Sequence, residues 1–343
     1  MQTVLQSSAA LRLRGVMSSS AGLRWTLLQS TAQTARVPDV QQIAVGSFTP
    51  SVLLDLAGST GRLADRGLAV SEVPVPSSPA QFRALLDDEL AVALTSPDNV
   101  LAYRFNPGNP LGELADVRIV AAIDRGLGLG LYGAPGTTAA DLRGARVGVD
   151  VATSGFALAL YALGESLGLA RADYELVTLG STPRRLEALL AGECAATMLN
   201  AGNELVAEAR GCVRLAGVAE SLAPYLGTVA AVAGERHLDV ADRLADALLD
   251  TTAAITGGGL GEEAAEAAAR RLGLDDELAR RYVDRLRDPV DGLVPDGGVD
   301  PGALATLVRL RTTYLPTVVD GAEVLDAALA PGSGLVQPRV PRA

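Results

Sequence analysis

The chain has 343 residues, of which 48% are hydrophobic, a net charge of −11 and an isoelectric point near 4.7. This length favours two domains with separate cores, because single cores rarely grow beyond about 250–300 residues. The negative charge argues against nucleic acid as a partner, since binding to phosphates requires a basic surface. The sequence has no run of about 18 apolar residues, so we expect no membrane-spanning segment.

Strands and helices alternate along most of the chain. Short apolar runs predict strands at residues 43–46, 68–75, 90–94, 117–123, 145–149, 174–177 and 195–199. Amphipathic stretches predict helices at about 50–65, 79–88, 97–105, 139–142, 154–167 and 182–190. Two more segments, 127–132 and 228–233, predict crossing strands, and a largely helical part follows from about 240 to 329. Such alternation is typical of parallel α/β sheets with right-handed crossovers.

Polar residues follow the predicted strands at four junctions. The clearest junction is 94–100, where an apolar strand ends in Thr95 and Ser96, and Pro97 can begin a helix. The other three junctions are residues 46–51, 151–155 and 199–203. Open α/β sheets bind small molecules at such strand ends, where helix N-termini also present free N–H groups. The four junctions therefore predict one cleft.

The chain lacks the residues that several kinds of metal, catalytic and cofactor site require. Cys194 and Cys212 have neither CxxC spacing nor clustered histidines, so a zinc site is not expected, while a disulfide between them stays open. His237 is the only histidine and no lysine is present, which argues against most catalytic triads and Schiff bases. The glycine-rich segment 126–130 lacks the GxGxxG spacing of a dinucleotide site. We expect no metal, no cofactor and no catalytic residue.

Residues 1–40 predict a poorly ordered N-terminal extension. They contain arginines and many polar residues, but no apolar core of a secretory signal and no lipoprotein cysteine. As written, the sequence therefore predicts a cytoplasmic protein. A misassigned start codon would change that expectation.

The order of elements resembles a known family. The loop 142–149, the turn 189–193 and the junction 95–99 look like those of the type 2 substrate-binding proteins of ABC transporters. The most similar group is the nitrate, sulfonate and taurine binders, which share their fold with the pyrimidine-precursor synthase of thiamine biosynthesis. The resemblance covers about residues 41–330.

The resemblance implies the periplasmic binding protein-like II fold: two doubly wound α/β lobes joined by two crossing strands, with a helical C-terminal tail. Lobe 1 would comprise residues 41–130 and 226–330, lobe 2 residues 131–225, and a C-terminal tail residues 331–343. The lobes would close on a ligand by a hinge motion. Carried over by position, the ligand contacts are Thr49, Ser51, Ser96, Asn99, Thr153, Ser154 and Asn200. Asp98, in the same junction as Ser96 and Asn99, is a further candidate ligand contact.

Two alternatives stay open at these positions. Ser96, Thr153 and Ser154 can act simply as helix N-caps, because serine and threonine are common there. Asp98 and Glu204 would repel an anionic ligand if they faced the cleft, and would suit an amine instead. Otherwise each would favour its own helix dipole and point to solvent.

Two functions follow. The first is a solute-binding protein that captures a small sulfonate, carboxylate or pyrimidine-like ligand for an ABC permease. The second is a cytosolic enzyme on the same fold that acts on a small carboxylated or heterocyclic metabolite. The missing export signal favours the enzyme, whereas the lack of a convincing general base favours the binding protein. The thiamine-precursor activity itself is not expected, because its site requires several histidines and cysteines.

Overall fold

The computed structural model describes residues 40–315, 327–330 and 332–338. The N-terminal extension, apart from its last residue, lies outside this part of the chain. The end of the predicted helical segment, at 316–326, also lies outside it.

The first sheet has five strands in the order β2-β1-β3-β10-β4. These strands are β1 (Gln41–Ser47), β2 (Leu68–Pro74), β3 (Val92–Thr95), β4 (Val117–Asp124) and β10 (Thr228–Ala233). Strand β1 pairs in parallel with β2 and β3, whereas β10 runs antiparallel between β3 and β4. This sheet is therefore mixed.

The second sheet repeats that arrangement, with five strands in the order β7-β6-β8-β5-β9. These strands are β5 (Gly130–Gly133), β6 (Arg146–Val149), β7 (Glu175–Thr178), β8 (Ala196–Leu199) and β9 (Val213–Gly217). Strand β6 pairs in parallel with β7 and β8, and β5 runs antiparallel between β8 and β9. Purely parallel sheets were expected, but the two predicted crossing strands, β5 and β10, enter each sheet in the opposite direction.

Helices connect the strands and cover the sheets. They are α1 (Val52–Ser59), α2 (Arg62–Asp65), α3 (Ser78–Leu86), α4 (Pro97–Phe105), α5 (Gly155–Ser166), α6 (Thr182–Leu190), α7 (Asn203–Ala209), α8 (Val218–Ser221), α9 (Leu238–Thr256), α10 (Gly261–Leu272), α11 (Asp276–Arg287) and α12 (Pro301–Tyr314). Two 3₁₀ turns cover Ala139–Leu142 and Arg171–Asp173. Within the described residues, no helix is both long and apolar enough to cross a membrane.

Three differences from the predicted elements have local causes. The helix expected at 50–65 is two helices, because Gly61 between them adopts a left-handed φ of 81°. The helix expected at 139–142 is a 3₁₀ turn. Helix α7 and strand β9 were not predicted: α7 has seven residues and β9 has five, too few for a clear periodic pattern.

The chain passes between the sheets twice. It leaves the first sheet after β4 and enters the second as β5, then returns to the first as β10 after β9 and α8. Two sheets, two crossings between them and the covering helices make up the two-part α/β fold that was predicted, with mixed sheets in place of the parallel ones.

Apolar contacts fill both faces of the first sheet. On one face, Val92, Val120 and Val232 pack in one cluster with residues of α1, α9, α10 and α11. On the other, Ile119 and Val229 belong to a cluster that continues into α4, α5, α12 and the second sheet.

Helix α12 contacts α4 and also α5, whose preceding strand β6 belongs to the second sheet. The Tyr314 hydroxyl donates to Glu165 at 2.7 Å, and the rings of Tyr314 and Tyr161 meet edge to face. The boundaries of the two lobes stay a prediction, and any hinge motion must accommodate this contact.

Candidate functional site

The carboxyl ends of strands from both sheets meet around one large cavity. It encloses about 1030 Å³, counted to its open mouth. Residues at or just after the ends of β1, β3 and β4 line it on one side, and residues that follow β6 and β8 line it on the other. Apolar side chains form much of the wall: Phe48, Leu53, Ile123, Leu127, Phe156, Tyr282, Leu286 and Leu293.

Four helices begin at this cavity. Ser51, Ser96, Ser154 and Ser181 immediately precede α1, α4, α5 and α6, and all four serines line the cavity. A helix start carries the positive end of the helix dipole and N–H groups without a partner in the helix, although at α4 Pro97 has no N–H and those of Asp98 and Asn99 bond to Ser96. The four helix starts together favour a negatively charged or strongly polar ligand group.

Six of the eight predicted site residues line this cavity: Thr49, Ser51, Ser96, Asn99, Ser154 and Asn200. The structure thus brings the four junctions together, as the strand-end rule requires. Whether these residues contact a ligand stays a prediction.

Three of these serines also act as helix N-caps, which is the alternative role considered from the sequence. Ser51 accepts the Leu54 N–H at 3.1 Å, Ser96 the Asp98 N–H at 3.3 Å and Ser154 the Ala157 N–H at 3.1 Å. The hydroxyls of Ser51 and Ser96 still have a donor while they cap, so capping and a ligand contact are compatible there, whereas the Ser154 hydroxyl already donates to Asp150.

The two amides are anchored within the protein. Asn99 donates to the Thr95 hydroxyl at 3.1 Å, and Asn200 donates to the Gly126 carbonyl at 3.2 Å. The second bond holds the end of β8 against the segment that crosses between the sheets.

Two predicted residues lie outside the large cavity. Thr153 is exposed and lines a smaller cavity of about 520 Å³ beside Asn106, Asn109 and Arg311. Asp98 is buried, and its carboxylate accepts both Nε (3.0 Å) and Nη2 (2.6 Å) of Arg311. Asp98 therefore faces neither the cleft nor the solvent, the two positions considered from the sequence.

Glu204 is also buried, and it lines neither of the two cavities. One of its oxygens accepts the Gly202 N–H at 2.8 Å, and the other lies 3.9 Å from Nε of Arg285. Burial raises the pKa of Glu204 to about 7.

Sequence reasoning missed Arg185, a charged residue of the cavity wall. Its side chain is almost fully buried, and it donates from Nε to the Met198 carbonyl at 3.1 Å and from Nη2 to the Thr182 hydroxyl at 2.9 Å. Nη1 donates to the Gly180 carbonyl, and the guanidinium lies 5.9 Å from the Phe156 ring centroid. Burial lowers the pKa of Arg185 because it removes the charge from water.

Two aspartates of the wall were missed as well. Asp124 is the last residue of β4 and is 3% exposed; Asp150 directly follows β6 and accepts a hydrogen bond from Ser154. Burial raises the pKa of Asp124 to about 6, although hydrogen bonds from Thr228 and the Gly126 N–H oppose the shift.

A pattern in the sequence could have identified each of these three residues as part of the cavity wall. Both aspartates come at the end of an apolar run, which is the rule that selected the other site residues. Arg185 lies three positions after Thr182 on the apolar face of a predicted helix, where an arginine is unusual.

The cysteines and the histidine lie outside the walls of both cavities. Cys194 and Cys212 are free and buried, so no disulfide joins them. His237 lies at the start of α9, where its Nε2 is 2.6 Å from an Asp88 oxygen. It therefore pairs with a surface carboxylate away from the cavity.

Comparison with solved structures identifies the fold. The periplasmic aliphatic sulphonate binding protein SsuA from Escherichia coli superposes with a TM-score of 0.62 at 17% identity, covering 89% of this chain and 94% of that one. The alkanesulfonate-binding protein SsuA from Xanthomonas axonopodis pv. citri, bound to MOPS, gives a TM-score of 0.61 at 16% identity over 86% and 98% of the two chains. A zinc-bound ligand-binding component of an ABC-type import system from Staphylococcus aureus gives 0.65 at 13% over 80% and 92%.

No protein-family model matches the chain, and no curated protein matches it either. The chain has the periplasmic-binding-protein fold, in the type 2 form predicted from the sequence. At these identities the similarity concerns the fold, and the ligand has to be inferred from the site.

Proposed function

We propose that this protein is a solute-binding protein that captures a small organic ligand between its two lobes and delivers it to an ABC-type importer. One observation carries the proposal: four helix N-termini from both sheets converge on a single, largely apolar cavity at the strand ends. Such a cavity buries an apolar ligand body and offers a few polar groups that orient it.

The similar structures support this proposal. Two of them are sulfonate-binding proteins, and the third is a ligand-binding component of an ABC-type import system. Together with the four helix starts, they favour a ligand that contains a sulfonate or carboxylate group.

A ligand screen tests the binding role. Sulfonates, carboxylates, amines and pyrimidines are screened by thermal shift and by native mass spectrometry. A ligand at about 100 times its dissociation constant stabilises the folded state by roughly 2.7 kcal/mol, which raises the melting temperature by several degrees.

Two tryptophan variants locate the site. Ser181→Trp places a large ring at the cavity wall and should abolish the shift, whereas Ser59→Trp, at the exposed end of α1, should preserve it. If no compound stabilises the wild-type protein, or if both variants still bind, the proposal is wrong.

The same screen separates binding from catalysis. A carrier returns its ligand chemically unchanged after long incubation, as mass spectrometry of the released compound would show. A converted compound would instead support the enzyme on this fold. Fractionation of the source cells tests delivery, because a wholly cytosolic pool contradicts uptake from outside.

A further inference from the structure

Two buried charges of opposite sign line the cavity, and neither forms a salt bridge with a described residue. Asp150, which also lines the cavity, attracts Arg185 from beyond 4.0 Å and opposes the effect of burial on the pKa of Arg185. Arg185 lies on α6 beside the second sheet, and Asp124 ends β4 of the first. Among the described residues, neither has an oppositely charged group within 4.0 Å. A buried charge without a counter-ion is costly, so such groups are typical of places where a ligand supplies the missing charge.

Arg185 is equipped to receive an anion. It is 2% exposed, and three of its five N–H groups donate to the protein, to Gly180, Thr182 and Met198. Those three bonds fix the guanidinium plane. The guanidinium is held in place, lies beside the N-termini of α5 and α6, and has further N–H groups that can donate to a ligand. Such an arrangement can bind a carboxylate or sulfonate.

The cavity as a whole does not favour a simple anion. Asp124 and Asp150 both line it, so the three charged side chains of its wall sum to −1 when all are ionised. A ligand with only a negative charge would add to this excess. A ligand that also carries a positive group would pair with a carboxylate instead.

We propose, on the basis of the function proposed above, that the ligand is zwitterionic: its anionic group binds Arg185, and its protonated amine binds Asp124 on the opposite side of the cavity. The ligand's apolar body lies between them, against side chains such as Phe156 and Ile123. Because the two charges belong to different sheets, such a ligand bridges the two lobes, and a compound with one charge does not.

Matched compounds test this inference on the wild-type protein by calorimetry. One set is 3-aminopropane-1-sulfonate, propane-1-sulfonate and propan-1-amine; the other is 6-aminohexanoate, hexanoate and hexan-1-amine. In at least one set, the zwitterion should bind at least roughly 30-fold more tightly than either compound with one charge, because removing one partner of a buried charge pair has an effect of this size.

Variants of Arg185 and Asp124 test which group of the ligand each residue binds. Arg185→Gln should remove the advantage of the sulfonate or carboxylate, and Asp124→Asn should remove the advantage of the amine. Arg184→Gln and Asp65→Asn, both exposed, serve as matched controls and should leave the affinities unchanged. Circular dichroism confirms that each variant is folded, and the wild-type comparison stands even if one is not.

Three outcomes overturn the inference. One is a compound with a single charge that binds as tightly as its zwitterion. Another is an unchanged preference in both charge variants. The third applies if neither set of compounds binds, when the test is the ligand found in the broad screen. A ligand that lacks either charge then overturns the inference but leaves the solute-binding role intact. Failure of the proposed function is different, because then no compound in any class binds.

Discussion

Asp98 shows how the role of one carboxylate depends on a distant residue. It follows a strand and lies in the first turn of α4, as a ligand contact would, but both of its oxygens accept from Arg311 on α12. The side chains of this pair are 1% and 6% exposed. Removing one partner of a buried pair leaves an uncompensated charge inside the protein.

We therefore expect Asp98→Asn to destabilise the protein by about 3–5 kcal/mol in urea unfolding. The matched control is Asp116→Asn, which breaks a surface pair with Arg104 and Arg118 and should cost about 1 kcal/mol or less. Equal losses of unfolding free energy in the two variants would contradict the larger contribution expected from the buried Asp98–Arg311 pair.

Glu204 predicts a pH dependence of stability. Its pKa is about 7 in the folded protein, above the usual value of about 4.3. The folded state therefore binds this proton more tightly than the unfolded chain. The resulting stabilisation is complete below about pH 4.3 and is lost as the pH rises through about 7.

Glu204→Gln should accordingly reduce the fall in melting temperature between pH 5.5 and pH 8. The surroundings of this carboxyl are the Gly202 N–H, Arg285, Glu208 and two tyrosines, Tyr132 and Tyr282. Glu263→Gln on the exposed face of α10 serves as the control. An identical pH profile in wild type and Glu204→Gln would refute the assignment.

At the scale of elements, helix α5 approaches α4 without room for a side chain. A Cβ atom added to Gly155, the first residue of α5, would lie 2.7 Å from Cβ of Asp98. Glycine at this position thus allows α4 and α5 to meet at the cavity wall, and any larger residue must push the helices apart.

Gly155→Ala should destabilise the protein by about 1–3 kcal/mol in urea unfolding and should weaken ligand binding. Gly164→Ala in the same helix is the control. Its nearest neighbour would be 3.4 Å away, so this alanine should be neutral or stabilising by up to about 1 kcal/mol. A Gly155→Ala variant as stable as wild type would show that the helices separate at little cost.

Most elements were predictable from local pattern. Strand β8 and helix α6 appear within one residue of their predicted positions, because an apolar run and an amphipathic period identify them. The direction of β5 and β10 was not predictable, since strand pairing depends on contacts between residues far apart in sequence. The 3₁₀ turn at 139–142 and the break at Gly61 depend on details of backbone geometry.

At the scale of the whole molecule, the crossing segment is held by both parts of the fold. Leu127 accepts the Ala201 N–H at 2.9 Å and donates its own N–H to the Asp291 carbonyl at 2.8 Å. Residue 201 follows a strand of the second sheet, and residue 291 follows α11, which packs on the first. Relative motion of the lobes would bend the chain here.

Ligand binding should therefore slow amide hydrogen exchange at residues 125–129 and reduce the radius of gyration in solution scattering. The physical reason is preferential binding to the closed state. Helix α10, none of whose residues lines the cavity, provides an internal control, because its exchange should not change. Unaltered exchange and unaltered radius at saturating ligand would contradict closure.

The sequence by itself determined the order of most strands and helices and the edge of the sheets at which the polar junctions meet. Both follow from local rules, namely side-chain periodicity and the preference of short polar residues for helix starts. Only the tertiary structure decided which charges face the cavity. Asp98 is neutralised by a residue 213 positions away, whereas neither Arg185 nor Asp124 forms a salt bridge with a described residue. The pairing of charges depends on distances between elements, which the local pattern does not contain.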